Sequence, residues 1–117
     1  MTIEEYFIDY LAPILGSSPA VAVSGSVPHP MPAEFVTVEK TGSSEVNRIP
    51  SATLAVQSWS TSRAAAAALN DRVKAAMAGS VTQPHISHCS LVSDYNYTDL
   101  STKKPRYQAV FDVVYLF

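Results

Sequence analysis

Few residues in this chain could do chemistry. His29, His85 and His88 are the only histidines, and Cys89 is the only cysteine. Imidazole and thiolate are the usual zinc ligands, but His85 and His88 lie three apart in a segment that reads as a strand. Side chains alternate there, so the two rings point to opposite faces and cannot close on one ion without a bulge. Adding Cys89 gives no zinc-binding spacing. Nucleophilic catalysis needs a serine or cysteine activated by a base. No serine lies in a Gly-x-Ser-x-Gly turn, and the four glycines form no phosphate-cradling loop. Cys89 sits mid-strand, with no helix N-terminus to lower its pKa, and reads as a buried structural thiol. Asp94, Asp99 and Asp112 are carboxylates without a spacing that demands acid–base pairing. Asp112, on a sheet surface, needs a partner, and Arg106 and Lys104 are the nearby candidates. Lys103, Lys104 and Arg106 form a basic cluster flanked by Tyr97 and Tyr107. Such a cluster fits single-stranded nucleic acid, but three charges on a hairpin loop more commonly make a solvated turn. No catalytic residue, metal ligand or cofactor is expected.

Composition narrows the function classes. A chain of 117 residues with 47% apolar residues suits one compact domain. Its 15% charged residues fall below the roughly 25% of an average soluble domain. Either neutral polar groups keep the surface wetted, or a partner covers part of it. A net charge of −2 argues against a general nucleic-acid binder. No apolar run approaches the roughly 20 residues that span a bilayer. The N-terminus, Met1-Thr2-Ile3-Glu4-Glu5-Tyr6, is acidic where a signal peptide is basic, so an intracellularly made protein without membrane partners is expected.

The elements that must position these residues follow from periodicity. Ile3, Phe7, Tyr10 or Leu11, and Ile14 recur at helical steps. Thr2 with Glu5 makes a capping box, and Pro13 and Gly16 mark the end. Ala20-Val21-Ala22-Val23 is a possible short strand, broken by Ser24-Gly25-Ser26 and the proline-rich Pro28-His29-Pro30-Met31-Pro32. Glu34 to Lys40 is β-branched and ends at the turn-like Thr41-Gly42-Ser43-Ser44. A second strand runs from Ala52 to Trp59, with Leu54 and Val56 on one side and Ala55, Gln57 and Trp59 on the other. Residues 42–50 between them read as a polar connection. Thr61 or Ser62 caps a helix containing Ala64 to Ala68 and the stripe Leu69, Val73, Met77, with Asn70, Asp71, Arg72 and Lys74 on the other side and Gly79 as the stop. Two strands close the chain, His85 to about Tyr97 and Arg106 to Phe117, joined by the loop Thr98 to Pro105. In the last, Tyr107, Ala109, Phe111, Val113, Tyr115 and Phe117 share one face, and Val110, Val114 and Leu116 lie on the other. Apolar residues on both faces predict a central or well-covered strand. The expected fold is α+β, one domain over 1–117, with two helices on a mainly antiparallel four- to five-stranded sheet in the order α-(β)-β-β-α-β-β.

Three stretches resemble one known family. Pro32-Ala33-Glu34-Phe35-Val36-Thr37-Val38-Glu39-Lys40-Thr41-Gly42 is similar to the first strand and turn of the tail terminator (tail-completion, head–tail joining) proteins of long-tailed bacteriophages. Val56-Gln57-Ser58-Trp59-Ser60-Thr61-Ser62-Arg63-Ala64 resembles that family's junction from strand to alanine-rich helix. Pro105-Arg106-Tyr107-Gln108-Ala109-Val110-Phe111-Asp112-Val113-Val114-Tyr115 resembles its final strand. The likeness covers nearly the whole chain in order and length. The Pro28-to-Pro32 loop and the Lys103-Lys104 turn have no counterpart in that pattern.

The resemblance implies a structural virion protein and not an enzyme. Such proteins form rings, typically hexameric, at the head-proximal end of the tail tube. They stop polymerisation of the tube protein and dock onto head connector proteins, leaving a channel through which DNA passes without specific binding. The implied location is the virion tail, after synthesis in the host cytoplasm. The candidate subunit or partner interface comprises Trp59, Arg63, Tyr97, Lys103, Lys104, Arg106 and Tyr115, with no cofactor. The alternatives are a head-completion or adaptor protein on the portal side, and a small-ligand-binding or enzymatic α+β domain.

Overall fold

A computed structural model describes residues 1–16 and 21–117. The expected fold class is the observed one. Helix α1 (Ile3–Leu15) is followed by strands β1 (Ala22–Ser24), β2 (Phe35–Val46) and β3 (Ile49–Trp59). Helix α2 (Arg63–Ala78), a 3-10 turn (Gly79–Thr82), and strands β4 (Ile86–Asn96) and β5 (Arg106–Tyr115) complete the chain. The strands form one sheet in the order β1-β2-β3-β5-β4, with β1 parallel to β2 and every other pair antiparallel. The possible strand at Ala20–Val23 is observed as Ala22–Ser24; Ala20 lies outside the described residues.

Each helix starts where its cap dictates. The Thr2 hydroxyl accepts from the Glu5 backbone N–H at 3.1 Å and donates to the Glu5 carboxylate, offsetting one orphan donor of the first turn. Ile3, Phe7, Leu11 and Leu15, at four-residue steps, are the buried stripe. Leu11 and not Tyr10 therefore fills the third position, and Ile14, read as apolar face, is exposed. Ser62 and not Thr61 caps α2, its hydroxyl accepting from the Ala65 N–H at 3.1 Å. Gly79 ends this helix with a right-handed φ of −78°, so the stop is a tightening into the 3-10 turn and not a left-handed cap. A Cβ there would sit 3.4 Å from the Tyr10 hydroxyl, which itself donates to the Ala76 carbonyl at 2.7 Å.

Both helices cover the same face of the sheet. Ile3, Phe7, Leu11 and Leu15 of α1 and Leu69, Val73 and Met77 of α2 meet Val36, Val38, Leu54, Val56, Phe111 and Val113 in one core. Transfer of this apolar surface from water supplies the main driving force for folding. Among the described residues no helix covers the other face. Strand β5 lies between β3 and β4, as its two-faced pattern predicts, but its outward residues Val110 and Val114 are only half-buried.

The connection at 42–50 is corrected. Strand β2 continues past Thr41-Gly42-Ser43-Ser44, with a register shift between Lys40 and Gly42 that leaves Thr41 as the extra residue of a bulge. The turn is the two-residue Asn47-Arg48, with φ of 53° and 64°. Two consecutive positive φ values match the twist of the flanking strands, which is why such turns join hairpins.

Candidate subunit and partner interface

The helix-free face is organised in rows that cross the strands. At one end Phe35 of β2 stands opposite Trp59 of β3, which stands opposite Arg106 of β5. The Phe35 and Trp59 rings stack with centroids 5.1 Å apart. The Arg106 guanidinium lies 4.6 Å from the Trp59 centroid and 4.3 Å from that of Tyr97. Its Nε donates to the Tyr97 carbonyl at 2.7 Å. Lys104 closes the end, with Nζ donating to the Ala33 carbonyl at 3.1 Å and lying 5.9 Å from the Phe35 centroid. The sandwich removes both rings from water: Phe35 is 0% and Trp59 3% exposed. This is a second, small core on the opposite side of the sheet from the helices, closed by cation–π contacts in place of apolar packing.

The next row is polar. Thr37, Gln57, Gln108 and Tyr95 occupy matching positions on β2, β3, β5 and β4. The Thr37 hydroxyl donates to the Gln57 carbonyl oxygen at 3.3 Å, the Gln57 amide to that of Gln108 at 2.7 Å, and the Gln108 amide to the Tyr95 hydroxyl. Trp59 Nε1 donates to Thr37 Oγ1 at 3.4 Å and joins the two rows. Further along, the Thr53 hydroxyl donates to Asp112 at 3.1 Å. Asp112 therefore pairs with neither Arg106 nor Lys104, the partners its sequence position offered. At the far end Ser44, Ser51, Thr53, His88, Ser90 and Asp112 line a shallow polar hollow of about 570 Å³.

The seven sequence candidates divide accordingly. Trp59, Tyr97, Lys104 and Arg106 come together, with Lys103 exposed in the same turn. Trp59, a candidate interface residue in the sequence, is buried within the chain itself, enclosed by Phe35 and Arg106. Tyr115 lies at the opposite end of β5, packed against the main core and 5.1 Å from the Phe117 ring. Arg63 is exposed at the first position of α2 and stands apart from the cluster.

The remaining chemical candidates are dispersed. His85, read as a strand residue, precedes β4 with φ of 75°, and its Nδ1 lies 2.8 Å from the Leu116 carbonyl oxygen. His88 is exposed on the strand beyond a register shift. Burial pushes the Cys89 thiol up, which disfavours the reactive thiolate. Asp94 was placed on no partner by sequence reasoning. It accepts from Lys74 Nζ and Asn70 Nδ2, both at 2.9 Å, and the Lys74 hydrogen bond holds its carboxyl below the usual range. Asn70, read as part of the exposed side of α2, is 2% exposed because it faces this carboxylate. Asp99 is held low by the hydroxyls of Ser101 and Thr102, both 2.9 Å away. Among the described residues, no three His, Cys, Asp or Glu side chains gather closely enough to hold a metal ion, and no helix is long and apolar enough to cross a membrane.

Sequence reasoning missed Phe35 and the Thr37–Gln57–Gln108–Tyr95 row. Alternation gave a face to Gln57 within its own strand; only the register, which sequence does not carry, brings Thr37, Gln108 and Tyr95 into line with it. No family model matches the chain, and no curated protein matches it.

Proposed function

We propose that the chain is a ring-forming subunit at the head-proximal end of a phage tail tube, where it ends tube polymerisation and joins the tail to the head connector without enzymatic activity. The reading rests on the family resemblance of the three sequence stretches. The observation that supports it is a sheet covered by helices on one face only, with β5 apolar on both. Val110 and Val114 remain half-buried on the uncovered side, and the β4 edge exposes Leu91, Val92 and Tyr95. This edge strand of 11 residues has no lysine or proline to blunt it, and its register shifts at Ile86/His88 and Leu91/Ser93 leave the stretch with Leu91 and Val92 exposed. These are surfaces suited to contact between copies and with a tube. The centre of the uncovered face, between the Arg106 end and Asp112, is neutral and hydrogen-bonded to itself, which suits a wall past which a polyanion moves without being held.

The test is to add the purified protein to its tube protein as the tube polymerises. The expected outcome is capped tubes of restricted length, with the protein at one end only and self-associated by light scattering. Tubes of unchanged length with no protein at either end would refute the reading. Protein bound to portal rings but never to tubes would favour the head-completion role.

A further inference from the structure

The ring reading leaves open how one subunit recognises the next, and the contact between copies rests on that reading. We propose that the basic turn between β4 and β5 receives the acidic face of α1 from a second copy of the chain, head to tail. Arg106 is a preorganised receptor for carboxylate. Two aromatic rings fix its plane and a single backbone acceptor takes its Nε, while its two terminal nitrogens have no hydrogen-bond partner among the described residues. A guanidinium held this way loses little freedom when it forms a forked pair with a carboxylate. Among the described residues no carboxylate lies within 4.0 Å of Lys103, Lys104 or Arg106; the ion pairs found there belong to Lys74. Asp99, the acid of the same turn, is occupied by Ser101 and Thr102. The turn therefore presents net positive charge, which Asp99 offsets only in part and without a contact to Arg106, next to the exposed Tyr97 and Leu100.

The complementary surface is at the other end of the molecule. Helix α1 carries Glu4, Glu5 and Asp9 and no lysine or arginine. Glu5 and Asp9 are exposed and four residues apart, so they share one side of the helix. Asp9 has no hydrogen-bond or ion-pair partner among the described residues, and the Glu5 carboxylate meets only the Thr2 hydroxyl. The Tyr6 hydroxyl, bonded to the Pro84 carbonyl, holds this part of α1 beside the start of β4, whereas the basic turn comes after the last residue of that strand, Asn96. The strand between them spans about 33 Å at roughly 3.3 Å per residue, so the two charged surfaces cannot meet within one molecule. A contact between opposite ends of identical copies is heterologous, and it closes into a ring when the rotation permits.

The experiment measures self-association by sedimentation velocity over a concentration series, with melting temperature followed alongside. The main variant is Glu5→Lys with Asp9→Lys, both on exposed side chains. It is expected to weaken association on the order of tenfold. Wild-type association is expected to weaken likewise between about 0.1 and 1 M salt, as the screening length falls from about 10 to about 3 Å. Mixing this variant with Lys103→Glu/Arg106→Glu is expected to restore assembly, because both contacts in an alternating ring then join opposite charges. Lys103→Glu alone, at a side chain without hydrogen bonds, serves where the Arg106 variant melts early; it is expected to weaken association about threefold. Assembly of Glu5→Lys/Asp9→Lys at wild-type strength in low salt overturns this contact and leaves the ring reading standing. So does a mixture of folded variants that fails to assemble. A wild-type chain that stays monomeric even with the tube protein overturns both.

Discussion

Trp59→Ala tests whether the small core on the helix-free face belongs to the subunit itself. Trp59 is 3% exposed, stacked on Phe35 and lying under Arg106. A buried tryptophan withdraws about 150–250 Å² from water. At about 25 cal/mol per Å², discounted by about 10–40% for a compact unfolded chain, removal costs about 2–6 kcal/mol. The range of about 3–5 kcal/mol measured for large aromatic deletions is consistent with this. A domain of this size has about 6–18 kcal/mol to lose, so at a loss of about 3–5 kcal/mol the variant should fold but melt about 12–20 °C lower. Trp59→Phe keeps a ring over Phe35 and should lose only about 1–2 kcal/mol. Because the chain has a single tryptophan, the assay must be far-ultraviolet circular dichroism in urea and calorimetry, not intrinsic fluorescence. A double-mutant cycle with Arg106→Ala should return a coupling of about 1 kcal/mol. All contacts counted here are intramolecular, so the loss must be independent of protein concentration. A loss below about 1 kcal/mol, or one that appears only at concentrations where the protein associates, would refute the enclosed core and return Trp59 to the interface.

Other consequences are smaller. Arg48 holds φ of 64° at the second position of the β2–β3 turn, so Arg48→Gly should stabilise by about 0.5–1 kcal/mol in urea unfolding. Asp94 has a lowered pKa through Lys74, so its contribution is present at neutral pH and is lost as pH falls below the usual carboxylate value of about 3.9. Asp94→Asn should remove roughly 0.5 kcal/mol at pH 7 and show a flatter acid limb in a pH series of melts. Val113 is 0% exposed under the helices whereas Val110 is half-buried on the open face. Val113→Asp should therefore abolish folding by circular dichroism, while Val110→Asp should cost about 1 kcal/mol and leave the fold in place.

The helices and the two sheet faces were legible because each rests on a period. Four-residue steps located Ile3, Phe7, Leu69, Val73 and Met77, and alternation put Leu54 with Val56, and Ala109 with Phe111 and Val113, on common faces, which the structure buries. What failed was whatever depends on register or distant pairing. Thr41-Gly42-Ser43-Ser44 has the composition of a turn, yet those residues lie in a strand beside a bulge; the Asn47-Arg48 turn was hidden because its second residue is not glycine. Trp59 looked like an interface residue because its local pattern cannot reveal that Phe35, 24 positions earlier, stands directly opposite. Asp94 and Lys74 come from different elements and meet only when α2 crosses the sheet. The basic cluster was visible in sequence, but the aromatic clamp on Arg106 needed β3, β5 and the turn after β4 in place at once.

That clamp and the row beside it change the meaning of the low charge. A chain with 15% charged residues and one bare sheet face is expected to hide that face, since exposed apolar sheets aggregate. Here the centre of the face is wetted by neutral groups. The two glutamines bond to one another and to Thr37 and Tyr95, and serine hydroxyls line the far end. Amides satisfied along the sheet stay flat and draw in no ions, so the face needs no covering to remain stable. The exposed apolar groups are instead displaced to the β4 edge and the hairpin tip, at Leu91, Val92, Val46 and Ile49. Surfaces that gain from burial thus lie at the rim of the sheet, and surfaces that tolerate water lie at its centre. A subunit of that design can pack sideways against its neighbours while leaving its sheet open to a channel, an arrangement that the proposed ring requires.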